Sequence, residues 1–510
     1  MILDRTWNKR DKKLSISYIT KEGKRDFITK YLSYIPSYEY DPDGEYDTWD
    51  GQKAKRVNKK TSEYNPNTFD ILEYIYNNKE EFAPLFENNY PNLYTFDIET
   101  EVSDEFPDPE VADQRVTAIS VVGHNLSCIV YGLHRLSPES IALLKERYIS
   151  WIRDNKFAMS IVEQSGQNVE DYIKVYYKAF SSEEELLEEF FNKVVPNTPV
   201  LAGWNSYRFD WMYLTTRIKR LFGATTAKNM IYNASPTKEV TKIAWKELDG
   251  TSYSLPAPQH SVVLDYMEIC KQYDRILVPY ESFSLDYVSS RAVDAHKIKY
   301  DGSLQQLYER DVEWYYFYNA VDSLLVQLIH RKLKSLEVPC SMSTSTMITL
   351  KDAFGQVAIT NANMFYEFYD NNKVIVYNWD HTVREKKPYK GAFCDCISGH
   401  YTWNVCYDFA SLYPSQIQTC NLSFDNIVTD ENGDKFNEQE LEKFRKDPNY
   451  FVTVNGNVYK NDKEYTFKKM QRRMKKQRDE FKYTGQRIDS ELLTYIDSLI
   501  KLKNNKRKES

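Results

Sequence analysis

The sequence predicts an α/β and α+β multidomain fold, and three observations lead to this prediction. The chain has 510 residues, which is too long for one hydrophobic core and corresponds to roughly three or four domains. Short alternating or apolar segments, among them Thr95–Thr100 and Ala118–Val122, have the period of strands. A capping-box sequence, Ser182-Glu-Glu-Glu185, then opens a helix, and strands followed by a helix are typical of an α/β domain.

Composition excludes several classes of protein. The formal net charge of −7 argues against a uniformly basic nucleic-acid coat. The seven cysteines show no paired C-x-x-C spacing and the seven histidines no H-x3-H set, so neither a zinc site nor a disulfide framework is predicted. We find no apolar run of membrane-spanning length and no signal-peptide pattern at Met1–Arg5. A cytoplasmic protein without membrane contact is therefore expected.

Residues 1 to about 91 predict a small mixed domain. Leu14–Tyr18 alternates as a strand does, whereas the polar segment Asp47–Ser62 is expected to form a solvated loop. That segment is rich in basic residues, for which a solvated face is the more common interpretation and a phosphate contact the less common one.

Two carboxylates share one face of the strand Thr95–Thr100. Because side chains alternate along a strand, Phe96 and Ile98 face a core, whereas Asp97 and Glu99 point to the opposite side. Adjacent acids repel each other, and this is tolerated on a solvated edge or around a divalent cation. Only residues further along the chain can separate these two interpretations.

Further acids occur at positions that a sheet and a helix would bring together. A short apolar run ends at Gly203, and Asp210 begins an apolar-periodic helix, which places this acid near the carboxyl edge of a strand, where open α/β sheets hold ligands. Asp210 is also a plausible helix cap. Tyr318 and Asp322, four residues apart, lie on one face of a further helix.

A hairpin is predicted around Asp249-Gly250, within the alternating segments from Val240 to Val263. An ordinary surface hairpin and a functional projection are comparably good interpretations.

Three blocks of sequence together resemble the exonuclease motifs of DNA polymerases of family B, in the variant with tyrosine in the third motif. The blocks are F-D-I-E-T from Phe96, N-x-x-x-F-D from Asn205, and Y-N-x-x-D from Tyr318. Between them, Val263–Tyr266, Phe283–Val288 and Lys297–Gly302 resemble the same family, and most of all its T-even bacteriophage branch. This resemblance implies an RNase H-like 3′–5′ exonuclease domain.

The resemblance also implies a role for each motif residue. Phosphodiester hydrolysis of this kind uses two divalent metals about 3.5–4 Å apart, and clustered carboxylates suit Mg²⁺ or Mn²⁺. Asp97, Glu99 and Asp322 would hold the first ion, while Asp97 and Asp210 would reach the second. The Tyr318 hydroxyl would orient the attacking water. Asn205 and Phe209 would shape the 3′ end of the bound DNA, although Phe209 fits a core position equally well. The hairpin would help to part primer from template.

The C-terminal third resembles the polymerase half of the same family. Asp408-Phe-Ala-Ser-Leu412-Tyr413-Pro-Ser415 is similar to the first palm motif, which implies metal binding by Asp408, a triphosphate contact at Leu412 and a sugar contact at Tyr413. The basic stretch from Thr466 is similar to the first fingers helix. It makes Arg472 and Lys476, one turn apart, candidates for binding an incoming nucleotide.

The resemblance divides the chain into an N-terminal domain (1–91, with 335–377 packing back), the exonuclease domain (92–334), a partial palm (378–465) and the first part of the fingers (466–510). The second fingers motif K-x3-N-S-x-Y-G and the palm motif D-T-D-S do not occur in the 510 residues. We therefore expect a split enzyme that acts on DNA primer-template and needs a second polypeptide for synthesis, with a sliding clamp bound through that second chain. A fragment of an undivided polymerase would have the same sequence as such a split subunit. Two other classes stay open, a stand-alone 3′–5′ exonuclease and a non-catalytic module that binds DNA or RNA. If the source is viral, the host cytoplasm is the expected location.

Overall fold

The computed structural model of the chain describes most of its residues. The described residues are 1–48, 51–63, 65–101, 106–247, 249–273, 281–376, 395–403, 405, 407, 412–430 and 435–473. They form two compact units, one made of Met1–Leu32 and Ile75–Ile359, the other of Ser33–Tyr74 and Thr360–Ser510. The division into four domains stays a prediction.

The strands are β1 Ile2–Asn8, β2 Lys13–Ile19, β3 Arg25–Tyr31, β4 Tyr34–Tyr40, β5 Tyr46–Thr48, β6 Lys53–Lys60, β7 Leu93–Thr100, β8 Val116–Val122, β9 Cys128–Gly132, β10 Val175–Ala179, β11 Val200–Gly203, β12 Val240–Lys246, β13 Ser252–Pro258, β14 Val262–Asp265, β15 Lys373–Val374, β16 Ile427–Val428, β17 Tyr450–Val452 and β18 Val458–Lys460.

The α-helices are α1 Thr68–Asn77, α2 Pro138–Asp154, α3 Lys156–Gln164, α4 Val169–Tyr172, α5 Glu183–Glu189, α6 Val195–Asn197, α7 Asp210–Ala234, α8 Tyr266–Tyr273, α9 Leu285–Val293, α10 Leu304–Arg310, α11 Val312–Leu333, α12 Glu337–Thr346, α13 Gln356–Asp370, α14 Leu412–Thr419 and α15 Glu438–Lys446. Helix α7 breaks at Gly223, whose φ of +79° lies in the region that glycine adopts without steric cost. No helix among the described residues combines the length and the apolar character needed to cross a membrane.

A six-stranded mixed sheet forms the centre of the first unit. Its strand order is β10-β9-β8-β7-β11-β14, so that β7 lies in the interior. Strand β7 pairs antiparallel with β8 and parallel with β11, which in turn pairs parallel with β14. The predicted strands at Thr95–Thr100 and Ala118–Val122 are thus confirmed as β7 and β8.

Alternation along these strands builds a hydrophobic core on each face of the sheet. Ala118 and Val122 of β8 pack into one core, which also contains much of α11. Their neighbours Ile119 and Val121 pack into the other, with Phe96 and Ile98 of β7 and the apolar side of α7. The sheet is therefore covered on both sides, and the face of β7 that carries Asp97 and Glu99 is the one on which α11 lies.

The N-terminal three-stranded sheet, β1-β2-β3, is fixed to the rest of the first unit by buried polar contacts. The ring of buried His260 lies 2.8 Å from the Ser17 hydroxyl, and its backbone N–H donates to Asp4 Oδ2 at 3.0 Å. Arg25 donates to the His260 carbonyl at 2.7 Å. Leu350 N–H donates to the Ile2 carbonyl at 3.1 Å.

The second unit contains a four-stranded sheet in the order β15-β5-β6-β4. The prediction of a solvated loop over Asp47–Ser62 is wrong, because Lys53–Lys60 forms the interior strand β6, with Ala54 fully buried. Its basic side chains are accommodated by ion pairs with acids of the same unit. These pairs are Lys53–Asp47, Lys55–Asp41, Arg56–Glu73, Lys59–Glu39 and Lys60–Glu63. Because these basic side chains are already paired with acids, the structure favours a solvated face over a phosphate contact for this segment.

Other predicted elements form with small differences. Ser182 caps α5 by accepting from Glu185 N–H, whereas the Glu185 carboxylate accepts from Ser181 N–H rather than from the cap residue itself. The hairpin predicted around Asp249-Gly250 is β12–β13, paired antiparallel from Val240↔Pro258 to Lys246↔Ser252. The chain then leaves the hairpin, and Val262–Asp265 joins the central sheet.

Candidate active site

Strand β7 and helix α11 bring three carboxylates together. Alternation along β7 places Asp97 and Glu99 on the face that α11 covers, and Asp322 projects from the helix towards them. Oxygens of these three carboxylates lie within 4.8 Å of one another. The pair of acids on a strand is therefore part of a cluster and not a solvated edge.

Small polar side chains allow α11 to approach the sheet closely. The Thr95 hydroxyl donates to the Ser323 carbonyl at 2.8 Å, and the Ser120 hydroxyl donates to the Asn319 carbonyl at 2.8 Å. The hydroxyls of Ser120 and Ser323 are 2.7 Å apart. These contacts fix the distance of α11 from the sheet and its rotation about its own axis, and thereby the position of Asp322.

Asp210 lies at the edge of the same cluster. It is the first residue of α7, and its Oδ1 accepts the backbone N–H of Ile98 at 3.2 Å, between Asp97 and Glu99. The carboxylate thus reaches across to β7 and does more than cap its own helix. Its charge is close enough to contribute to the raised pKa of Asp97.

Burial raises the pKa of every carboxylate in the cluster, and repulsion between its members adds to this for Asp97 and Glu99. For Asp97 burial is the largest cause, followed by the charges of Asp210, Asp322 and Glu99. For Glu99 burial is followed by the charge of Asp322. Burial raises the pKa of Asp210 to about 7, against the opposing effect of the hydrogen bond from Ile98. An arrangement of this kind is costly unless positive charge offsets it.

Lys297 supplies one such positive charge. Its ammonium nitrogen lies 2.7 Å from Asp322 Oδ2 and donates to the Tyr318 hydroxyl at 3.1 Å. Burial alone would lower the pKa of Lys297, but the Asp322 carboxylate, then Tyr318 and Asp97, raise it above its ordinary value. The pKa of the Tyr318 phenol is likewise raised, first by burial and then by the charge of Asp322.

The donor set fits a hard divalent cation. Three carboxylates converge, and Oδ1 of Asp322, a side chain only 2% exposed, has no hydrogen-bond partner within the described structure. A buried, unpaired carboxylate oxygen is costly on its own and is satisfied by coordination. Asn319 fixes the neighbouring acid, because its Nδ2 donates to Asp97 Oδ2 at 2.8 Å.

The loop between β11 and α7 carries Asn205 and Phe209. Asn205 adopts a left-handed φ of +61°, and its N–H donates to Asp265 Oδ1 at 3.1 Å. The half-buried Phe209 ring contacts Tyr213 and Phe106, with centroids 5.7 and 5.4 Å away. Phe209 is therefore partly packed and partly available. Phe106 is 81% exposed and extends this aromatic surface into solvent.

Sequence reasoning did not assign functions to Lys297, Asn319 and Phe106. Lys297 stood in a recognised block, Lys297–Gly302, but nothing in that block separates it from Lys299. Asn319 lies within the third motif beside Tyr318, which is a signal that could have identified it. Phe106 lies in an irregular segment with no periodicity to single it out.

The structure describes only part of the predicted polymerase site. Asp408 and Lys476 lie outside the described residues. Leu412 and Tyr413 begin α14, and Tyr413 is 72% exposed. Arg472 lies in the helical segment 466–473 and forms an ion pair with Glu464.

The mixed sheet with acids on an interior strand has an RNase H-like architecture, and comparison with known proteins specifies the family. Residues 52–288 match the family description "DNA polymerase family B, exonuclease domain", and residues 350–497 match "DNA polymerase family B". The chain belongs to the DNA polymerases of family B.

Curated relatives carry corresponding names. The chain is 32% identical to a DNA-directed DNA polymerase of Escherichia phage RB69 over 337 residues, which are 65% of this chain and 35% of the relative. It is 26% identical to the DNA-directed DNA polymerase of Enterobacteria phage T4, over 67% of this chain and 36% of the relative. DNA polymerase 1 of Sulfolobus acidocaldarius is 24% identical over 69% of this chain and 37% of the relative. The chain thus spans little more than a third of the length of these relatives.

Proposed function

We propose that the chain carries the 3′–5′ proofreading exonuclease of a replicative DNA polymerase and acts on the primer end of primer-template DNA. The observation that carries this proposal is the convergence of Asp97, Glu99 and Asp322 within 4.8 Å, with one Asp322 oxygen lacking a hydrogen-bond partner in the part of the chain that the structure describes. A purely structural cluster of buried acids would be expected to have its oxygens satisfied.

Asp97, Glu99 and Asp322 would hold one divalent ion, and Asp97 with Asp210 a second, as the family resemblance implies. Bound ions of this type activate a water and stabilise the departing oxygen in phosphodiester hydrolysis. Mg²⁺ and Mn²⁺ both suit a site made of carboxylate oxygens.

Tyr318 and Lys297 act on the reacting groups in this proposal. The raised pKa of Tyr318 keeps its hydroxyl protonated, so that it can hold the attacking water by hydrogen bonding without removing its proton. Lys297 keeps its charge and lies against both Tyr318 and Asp322, where it offsets the negative charge that builds up during hydrolysis.

The aromatic surface of Phe209 and Phe106 would receive the terminal bases. Stacking on aromatic rings tolerates any base sequence, which a proofreading site requires. Asn205, held by Asp265, would contact the 3′ end. Phe106 supports this role because it packs against Phe209 and is itself exposed, so that the aromatic surface is open to a stacking base.

Hydrolysis of a 5′-labelled single-stranded oligonucleotide tests the proposal. The wild-type chain with Mg²⁺ should release mononucleotides from the 3′ end, and Asp97→Ala or Asp322→Ala should abolish this activity. Because the ligands act as a unit, the Asp97→Ala/Glu99→Ala double variant should be little worse than either single one. Asp154→Ala, at an exposed acid on α2, is the matched control. Metal-dependent cleavage by the double variant at the wild-type rate would refute the assignment.

We further propose that templated synthesis needs a second polypeptide that supplies the returning fingers helix and the D-T-D-S strand, and through which a sliding clamp would bind. The D-T-D-S motif, which would carry the second carboxylate of a two-metal polymerase site, does not occur in the 510 residues. Adding the partner should create nucleotide incorporation that Asp408→Ala removes, while 3′ excision is unchanged. Appreciable templated extension by the purified single chain contradicts this part. The phage relatives favour the host cytoplasm as the place of action.

A further inference from the structure

The turn end of the hairpin β12–β13 is attached to the β11–α7 loop, and this attachment has a consequence for catalysis. The two residues that precede Phe209 and Asp210 both contact the hairpin. Tyr207 does so through its ring, and Arg208 through its guanidinium group. Neither side chain is needed for any contact so far assigned to DNA or metal.

Arg208 bridges the hairpin and helix α8. Its Nε donates to Glu247 Oε1 at 2.8 Å and its Nη2 to Glu247 Oε2 at 3.3 Å, so that the Glu247 carboxylate is held at both oxygens. Its Nη1 donates to Glu268 Oε1 at 2.7 Å. Arg208 therefore donates hydrogen bonds to acids on two separate elements at once. A lysine, which carries a single ammonium group, cannot reproduce this geometry.

Glu247 is itself positioned by the hairpin. Trp245 Nε1 donates to Glu247 Oε1 at 2.7 Å. The Trp245 ring is stacked between those of Tyr207 and Tyr253, with centroid distances of 5.8 and 5.2 Å and interplanar angles of 22° and 13°. The stack and the ion pair with Glu247 connect the same two elements by independent means, so the loop and the turn end of the hairpin form one rigid group.

Asp265 holds the other side of the loop. Its Oδ1 accepts Asn205 N–H at 3.1 Å, and its Oδ2 accepts Tyr207 N–H at 3.3 Å. The loop is thus fixed to the sheet at Asn205 and to the hairpin at Arg208. Phe209 and Asp210 come directly after and take their position from both attachments.

We propose that Arg208 is a positioning residue of the exonuclease site, which acts through Glu247 and Glu268 to set the place of Phe209 and Asp210. Through Glu247, the turn end of the hairpin thereby serves hydrolysis of any 3′ end, single strands included. A displacement of about 1 Å in a reacting arrangement lowers a rate by up to about 100-fold, so loss of the bridge should be visible in turnover. This inference rests on the proposed exonuclease function.

Arg208→Met in the full chain tests the proposal, with single-stranded oligonucleotide as substrate. We expect kcat to fall about 10- to 100-fold, with KM within about twofold and the unfolding midpoint close to wild type. The concentration of Mg²⁺ needed for half-maximal rate should rise, because Asp210 moves. Lys246→Met, which removes an exposed positive charge from the same hairpin, should leave all of these unchanged.

Two further variants keep the test decisive. Glu247→Gln leaves Arg208 in place and weakens the bridge from the hairpin side, so it serves if Arg208→Met does not fold. Combining the two should cost no more than the worse single change, because they break the same link. Arg208→Lys should recover only part of the rate.

The opposing outcomes are distinct. Wild-type kcat in both Arg208→Met and Glu247→Gln overturns the positioning role. A raised KM with unchanged kcat also overturns it, since Arg208 would then be binding DNA. Losses that track only the fraction of folded protein show a structural role and overturn it as well. If neither the wild-type chain nor Lys246→Met hydrolyses the substrate, the proposed exonuclease function itself has failed. If both do, the result for the Arg208 and Glu247 variants concerns the positioning role alone.

Discussion

Lys297 Nζ lies 2.7 Å from Asp322 Oδ2, whereas Oδ1 of the same carboxylate has no hydrogen-bond partner among the described residues. The two residues are far apart in sequence, and the contact forms because the segment after α9 passes over the first turns of α11. The ammonium group partly neutralises a cluster in which burial raises the pKa of each carboxylate and repulsion between members adds to this at Asp97 and Glu99. It leaves the remaining oxygen available to a second cation.

Lys297→Met should lower the rate of 3′ hydrolysis about 100- to 1,000-fold, which is the effect of removing one preorganised group that stabilises developing negative charge. The measurement is single-turnover cleavage of a labelled single strand at saturating Mg²⁺. Lys299→Met, two residues away and exposed, is the matched control. Equal rates for the two variants would show that the Lys297 contact has no catalytic role.

Tyr318→Phe should lower the hydrolysis rate about 10- to 100-fold, because the hydroxyl that would hold the water is lost. The raised pKa of Tyr318 means that the phenol does not act as a base near neutral pH. The shape of the pH–rate profile should therefore be the same for the variant and the wild type. A variant profile that has lost a limb would contradict the assignment and identify Tyr318 as a titrating group.

Shortening the hairpin tip around Asp249-Gly250 should preserve hydrolysis of single strands and reduce excision from a duplex end. Trp245 and Glu247, which contact Tyr207 and Arg208, lie next to this turn, so the change is confined to Asp249 and Gly250 and keeps both of those side chains. The experiment compares the two substrates side by side for the same variant. Equal losses on both would mean that the tip is structural.

Local patterns were sufficient to predict the parts of the site that lie on regular elements. Asp97 and Glu99 are predicted by the period of a strand, and Tyr318 with Asp322 by that of a helix. Asp210 is predicted by the end of an apolar run and the start of a helix. The strand or helix at each of these positions is specified by neighbours within a few residues.

Contacts between distant segments could not be predicted in this way. Lys297 meets Asp322 only in the folded chain, and Arg208 meets Glu247 only because the hairpin turns back onto the loop. The error at Lys53–Lys60 has the same origin, since lysines are depleted in strands unless acids elsewhere in the fold pair with them.

The metal-free protein should lose stability as pH rises towards neutrality, and Asp210 should account for part of this loss. Its folded pKa of about 7 lies above the ordinary aspartate value of 3.8, so between these limits the folded state binds more protons than the unfolded state. The stabilisation is fully present below the unfolded pKa and disappears as pH rises through the folded pKa. Each extra bound proton gives a slope of about 1.4 kcal/mol per pH unit.

Urea unfolding in EDTA measures this effect when it is carried out between about pH 4 and about pH 8, a range that includes the folded pKa and begins near the unfolded one. Asp210→Asn should flatten the curve and be more stable than wild type near pH 8, because a neutral amide replaces a carboxylate that has to ionise among other acids. Mg²⁺ should stabilise the wild type most at the high-pH end, where the carboxylates are free to bind it. Asp154→Asn should reproduce the wild-type curve. If Asp210→Asn in EDTA has the same dependence of stability on pH as wild type, the Asp210 carboxylate does not interact with the other acids of the cluster. Asp210 would then not be a ligand of the metal site.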